Sequence, residues 1–313
     1  MKLIETISND LNVPVEMLQE ATAFSRKLVK HIKIPKRDGT YRLVYQPSKK
    51  LKIIQYWLDY NIYRNLAVHD CATAYQNNKS VKFNAVKHQQ GRYFLKLDLK
   101  DFFPSIKFVD FSPYIQSWNT SEGFPYDEDD LLELIRYSCF YIGDSLPIGY
   151  PTSPIISNIV MYSFDSKIIS KLTDKGKYGA AVYTRYADDM TFSTNLKGAC
   201  NKLRTLVRNE LKSMRSPKLA MNASKTRFVS SSGGSAFITG LRVCHDGHIT
   251  IHRRYKDKVR LLVSLYEKDR LSQEDIRSLR GHLCYIRHVD SPFYTKLQNR
   301  HFASLNMILS ETY

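Results

Sequence analysis

Three aspartates stand where solvated acids rarely stand. Asp98 closes the apolar run GRYFLKLD, and Asp188 and Asp189 sit at the tip of AVYTRYADDMTFST, whose β-branched and aromatic residues predict a hairpin. Carboxylates gathered at the centre of a sheet repel: two unit charges about 4 Å apart cost about 4 kcal/mol at an effective dielectric of about 20. A pair of Mg²⁺ ions relieves this, because hard cations take carboxylate oxygens and complete their shells with substrate phosphates. Two such ions support displacement at phosphorus, one beside the attacking hydroxyl and one beside the leaving pyrophosphate. An Asp at either place alone is ordinarily a turn former or a cap, so the metal reading requires the two segments to be adjacent strands.

The elements that must hold these residues read as follows. Residues 1 to 30 are helical in pattern, with Ser8, Asn9 or Asp10 as possible N-caps and Pro14 near a helix start. HIKIPKRDGTYRLVYQP is two β-rich runs joined by Asp38-Gly39, a hairpin signal. Ten Lys and Arg against one acid, Asp38, fall between Arg26 and Lys52, the sharpest charge concentration in the chain. Leu51, Ile54, Leu58 and Ile62 then recur at helical spacing, with Trp57 and the neighbouring tyrosines assigned to the core. DEDDLLELIRYSCFY predicts a helix opened by acids, and LPIGYPTSPIISNIVMYSFDSKI a turn leading into a helix carrying Ile156, Ile159 and Phe164. SSSGGS is a loop. In the basic C-terminal helix IHRRYKDKVRLLVSLYEKDR, Val259, Leu262, Val263 and Tyr266 pack inward.

With 313 residues and 43% hydrophobic content the chain can bury a sizeable core, which excludes a disordered reading. Lys and Arg outnumber Asp and Glu by 47 to 30, a net charge of +17 that points to a polyanionic partner, nucleic acid first. The five cysteines, Cys71, Cys139, Cys200, Cys244 and Cys284, are scattered singly and read as buried, reduced thiols. No signal peptide or span of about 20 apolar residues is visible, so a soluble, cytoplasmic protein without membrane contact is expected.

RYADDMTFS resembles palm motif C of reverse transcriptases, LDLKDFFPSI their motif A, PIGYPTSPIISN their motif B and NASKTRF, with Asn222, Lys225 and Thr226, their motif D. Within that family the chain is most similar to the retron enzymes of bacteria. Asn84-Ala85-Val86-Lys87-His88 matches their NAxxH element and Ile238-Thr239-Gly240 resembles their VTG triplet, with Ile in place of Val. In motif B, Ile148-Gly149 stands where many relatives have Gln-Gly, so a Gln contact to the nucleotide is not carried over. The resemblance covers roughly residues 30 to 300.

It implies an α+β right-hand polymerase with fingers, an antiparallel palm and a helical thumb: 1–92 N-terminal helices and fingers, 93–240 palm with inserted fingers helices, 241–313 thumb. It implies RNA-directed DNA synthesis with dNTP substrates and two Mg²⁺ held by Asp98, Asp188 and Asp189, with the Leu99 carbonyl as a further ligand. Lys36 and Arg42 would grip the triphosphate. Asp101, Phe102 and Phe103 would border the nucleotide, Phe103 excluding a 2′-hydroxyl, while core remains an equal reading for Phe102. Pro151, Thr152 and Ser153 would lie beside the template pair, Tyr186 and Ala187 beside the primer terminus, and Lys225 near the pyrophosphate as general acid.

For Asn84 and His88, RNA recognition and a buried hydrogen-bonding brace are both open. Arg253, Arg254, Lys256, Lys258 and Arg260 would meet an RNA duplex. The expected partners are a structured noncoding RNA, template and primer at once through a guanosine 2′-hydroxyl, and its branched DNA product. A separately encoded effector in antiphage defence and a host RNase H complete the set. Another bacterial defence or group II intron-like reverse transcriptase, and a catalytically idle RNA-binding scaffold, are the alternative readings.

Overall fold

Alternation decides where the strands lie. In the computed structural model, which describes residues 3–36, 39–122 and 126–310, β1 (Val29–Pro35) and β2 (Tyr41–Pro47) form an antiparallel hairpin after two helices, α1 (Leu3–Leu11) and α2 (Val15–Ala23). Asp38, the expected turn residue, lies outside the described residues. Ser8, Asn9 and Asp10 fall inside α1, and Pro14 is the N-cap of α2. α3 (Lys49–Asn61) buries Leu51, Ile54 and Leu58, and Ile62 follows at its C-cap, fully buried. Trp57 is buried as expected, but Tyr56 and Tyr60 face solvent, because one helix face is all the core can take.

α4 (Val81–Lys87) precedes β3 (Tyr93–Asp98), the strand that ends on Asp98. Then come α5 (Phe102–Ser105), α6 (Phe108–Glu122), α7 (Glu128–Cys139), α8 (Ser153–Val160), α9 (Tyr162–Lys171) and α10 (Lys175–Tyr178). Asp127 caps α7 by accepting from Asp130 N, and the acids of its first turn suit the helix dipole. β4 (Val182–Tyr186) and β5 (Asp189–Thr194) follow, with α11 (Ala199–Ser213) and β6 (Arg227–Ser230). These strands make one antiparallel sheet in the order β4-β5-β3-β6. Successive residues of a strand face opposite sides. Leu95 and Leu97 therefore enter the core shared with Met190, Phe192, α8, α9 and α11, while Phe94 enters a second core on the other face.

That second core belongs to β7 (Ser235–Ile238), β8 (Leu241–Cys244) and β9 (Ile249–Ile251), a three-stranded sheet, and to α12 (Arg253–Tyr266), α13 (Gln273–Val289), α14 (Ser291–Arg300) and α15 (Phe302–Ser310). β7 pairs with β8 across residue 240, so the division expected there falls inside a hairpin. Val259 and Val263 are fully buried, with Leu262 and Tyr266 packed against the same cluster. Cys71, Cys139 and Cys200 are buried free thiols; Cys244 is half-buried and Cys284 exposed, correcting the expectation that all five would be buried.

No helix among the described residues is long and apolar enough to cross a membrane.

Candidate active site

β3 and β5 are adjacent strands, which is the condition the metal reading required, and their register sets Asp98 directly opposite Asp189. Asp188 occupies the turn between β4 and β5, reached through Ala187 at φ +56°. Its carbonyl accepts from Leu99 N at 3.1 Å, which ties the hairpin tip to the end of β3. Burial raises the Asp188 carboxyl, and Asp189 and Asp98 raise it further. Asp189, at the rim, is raised by partial burial and by Asp98, against Lys96. Carboxylates whose surroundings penalise their charge in this way are favoured by a nearby cation.

Lys225 answers part of that charge. It sits in the short turn after residue 222, its Nζ donates to Asp98 Oδ2 at 2.8 Å, and that bond holds its ammonium above the usual lysine range. Asn222 N donates to the Asp98 carbonyl at 2.7 Å, so the turn is fastened by backbone as well. Three hard carboxylates against one lysine fit a divalent cation, which when bound would supply charge neutralisation and a Lewis acid at phosphate.

Behind the turn lies a fully buried ion pair that sequence reasoning missed. Arg185 on β4 gives its Nη2 to Asp165 of α9 at 2.7 Å, both side chains being wholly buried. Its Nη1 reaches Asn158 Oδ1 of α8 at 3.0 Å and the Ala187 carbonyl at 3.2 Å. Burial opposes the guanidinium charge and Asp165 overrides it. The signal available was an arginine at an inward position of an apolar strand, within RYADD itself.

The β1–β2 hairpin is bonded to the loop before α8. Tyr45 N donates to Ile148 O at 2.7 Å, and a side chain at Gly149, φ +111°, would meet the Tyr45 carbonyl at 2.6 Å, so close approach requires glycine. Ile34 pairs with Arg42, and Lys36, two residues on, shares that face; both cations are exposed. Arg42 lies within electrostatic reach of Tyr75, as does Asp188.

Several expected contacts are placed otherwise. Phe102 is buried in the core, its ring 5.4 Å from the half-buried Phe103, so the core reading holds for it. Asp101 is exposed at φ +47° and Pro151 is half-buried. Thr152 is fully buried, with no hydrogen bond from its hydroxyl among the described residues, so its side chain faces the protein and not a nucleotide. Ser153 is turned inward too, donating to Pro147 O at 2.7 Å.

Asn84 and His88 are buried as well, which replaces direct RNA contact with the bracing role. Thr184 donates to Asn84 Oδ1 at 2.6 Å, so its oxygen accepts from His88 Nε2 at 2.7 Å, leaving Nδ1 to accept from the Ser193 hydroxyl at 2.8 Å. That is a neutral imidazole, and burial lowers its pKa to about 3.

On α12, Arg253, Arg254 and Lys258 are exposed, and Arg260 pairs with Asp257 while lying over Phe293. Lys256 is only half-buried and is tied to the buried Asp290 at 2.9 Å, which removes it from the RNA-facing set.

Aspartates at the ends of adjacent antiparallel strands, with a basic hairpin bonded to the loop before α8, are the arrangement expected of a nucleotidyl-transferring polymerase palm. Residues 34–269 match the family model for reverse transcriptase (RNA-dependent DNA polymerase). The chain is 44% identical to the retron Ec73 reverse transcriptase of Escherichia coli over 88% of its own length and 87% of that protein's. It is 31% identical to the retron Ec83 enzyme of the same organism over 86% and 85%. Apo telomerase from Candida tropicalis shares the fold at a TM-score of 0.53 and 13% identity, covering 91% of this chain, which spans 58% of that one. The chain belongs to the reverse transcriptases, on their bacterial retron branch, and is an RNA-directed DNA polymerase.

Proposed function

We propose that Asp98 and Asp188, assisted by Asp189 and the Leu99 carbonyl, hold two Mg²⁺ ions for DNA synthesis on an RNA template. The observation that carries this is the Asp98–Asp189 register across β3 and β5 with Asp188 in the adjoining turn. Bound Mg²⁺ would neutralise phosphate charge and lower the pKa of the attacking hydroxyl. Lys36 and Arg42, on one face of the hairpin, hold the triphosphate, Arg42 by forked hydrogen bonds. Phe103, which is half-buried, packs under the sugar and excludes a 2′-hydroxyl. Lys225, released from Asp98, gives its proton to the departing pyrophosphate.

We further propose that the template is a structured noncoding RNA that also primes synthesis from a guanosine 2′-hydroxyl, giving a branched RNA–DNA product. The retron relatives support this reading. The exposed Arg253, Arg254 and Lys258 face the duplex, where charge and fit to an A-form backbone matter more than base contacts. Cytoplasmic antiphage defence with a separately encoded effector, and template removal by a host RNase H, belong to the same proposal.

Purification from the native locus, with sequencing of co-purifying nucleic acid after ribonuclease and debranching treatment, tests it. A single branched DNA species is expected from the wild type and none from the Asp188→Ala, Asp189→Ala variant. Linear or heterogeneous DNA would contradict the branched-primer reading and favour another bacterial reverse transcriptase.

A further inference from the structure

Residues 71–74 run beside β4 like an extra strand and are buried along their whole length. Arg185 N donates to Cys71 O and Thr73 N to Arg185 O, each at 2.8 Å, and Asn158 Nδ2 donates to Ala74 O at 2.9 Å. Lys79 Nζ closes the loop from its far side, donating to Asp70 O at 2.8 Å and Ala72 O at 3.0 Å.

The next residue breaks out of this frame. Tyr75 has φ +58°, a left-handed backbone that bulky residues rarely adopt, and it is 53% exposed. Its ring centroid lies 6.5 Å from that of Tyr186, the residue before the catalytic turn, at an interplanar angle of 35°. Arg42 of the fingers and Asp188 of the turn both act on its phenol. A half-exposed ring adds little to the core, and Asn or Gly would sit more comfortably at this φ. Strained aromatic geometry held by a buried network is the pattern of a ligand clamp.

We propose that the Tyr75 ring packs against the nascent template–nucleotide base pair and discriminates matched from mismatched incoming nucleotides. The proposal rests on the polymerase reading of the site. Arg42, proposed above to hold the triphosphate, and Asp188, proposed to hold the metal, both lie within electrostatic reach of Tyr75, and its ring packs beside Tyr186, so a nucleotide bound to both comes close to it. An aromatic face serves every base equally, as an enzyme copying a mixed sequence requires. A mispair displaces the base edges and forfeits that contact. The ring carries this role, not the hydroxyl.

The test is single-nucleotide incorporation on an RNA template with a DNA primer, measuring kcat and KM for matched and mismatched dNTPs. Wild type, Tyr75→Phe and Tyr75→Asn are compared, Asn being chosen because it tolerates the left-handed backbone, with thermal melting to verify folding. Tyr75→Asn is expected to raise the matched KM about tenfold and shrink the matched-to-mismatched ratio of kcat/KM about tenfold, with Tyr75→Phe within about twofold on both. Tyr75→Asn that keeps wild-type KM and discrimination, or loses kcat alone, overturns the proposal while leaving the polymerase intact. A wild type that incorporates no dNTP contradicts the polymerase reading and takes this proposal with it.

Discussion

Lys225 Nζ lies 2.8 Å from Asp98 Oδ2, so the lysine of the turn before β6 stands against the carboxylate that ends β3. An ammonium there occupies charge space that a divalent cation would share, and the pair must part when phosphate arrives. Lys225 is more than half exposed and attached by its side chain alone at that end, which leaves it free to swing.

Lys225→Ala is therefore expected to lower kcat for dNTP incorporation roughly 10²-fold, the scale of a positioned general acid, with the dNTP KM little changed. Pre-steady-state incorporation across pH checks it, since loss of a general acid also flattens the alkaline limb. An unchanged kcat would remove Lys225 from the chemistry.

The Arg185–Asp165 pair is buried on both sides, and breaking such a pair strands a charge. Asp165→Ala is expected to cost about 3–5 kcal/mol in urea unfolding, whereas Arg185→Met with Asp165→Leu recovers most of the loss by removing both charges. A double variant as unstable as the single one would show that the network, with Asn158 and the Ala187 carbonyl, matters more than the charge.

His88 sets a pH limit on folding. Its folded pKa is about 3 against an ordinary 6.5, because burial disfavours the charged ring. The unfolded chain thus takes the proton first. Stability from this group is complete above the unfolded value and drains as pH falls toward the folded one, by up to about 1.4 kcal/mol per pH unit. Urea midpoints at pH 7, 6 and 5 should fall more steeply for the wild type than for His88→Gln. Parallel slopes would contradict a buried neutral imidazole.

Phe103 is half-buried against Phe102, so part of its ring remains accessible for the proposed contact with the sugar. Phe103→Ala should raise rNTP incorporation relative to dNTP by at least roughly tenfold, measured as the ratio of kcat/KM values, since removing a wall costs exclusion before it costs binding. An unchanged ratio would place the sugar elsewhere.

The catalytic strands were legible because each has a period and an interruption: an apolar run that stops at Asp98 and a β-rich segment broken by two acids. The hairpin of the fingers was legible from Asp-Gly between β-rich runs. What a linear pattern cannot carry is which polar residues turn inward. Thr152, Asn84 and His88 look like binding residues in a string of letters, yet the α4–sheet packing and the α8 start bury them. Lys256 looked free until Asp290, far along the chain, took it. Tyr75 and the Arg185–Asp165–Asn158 network were missed for the same reason: their meaning lies in contacts between segments tens of residues apart.

The most direct test is template-directed dNTP incorporation on RNA by the purified wild type beside Asp98→Asn and Asp188→Asn, with melting curves to show that all three fold. Divalent-metal-dependent extension by the wild type, and extension below detection for both folded variants, is the predicted result. Extension by either folded variant at the wild-type rate would contradict the assignment of these aspartates as the catalytic centre.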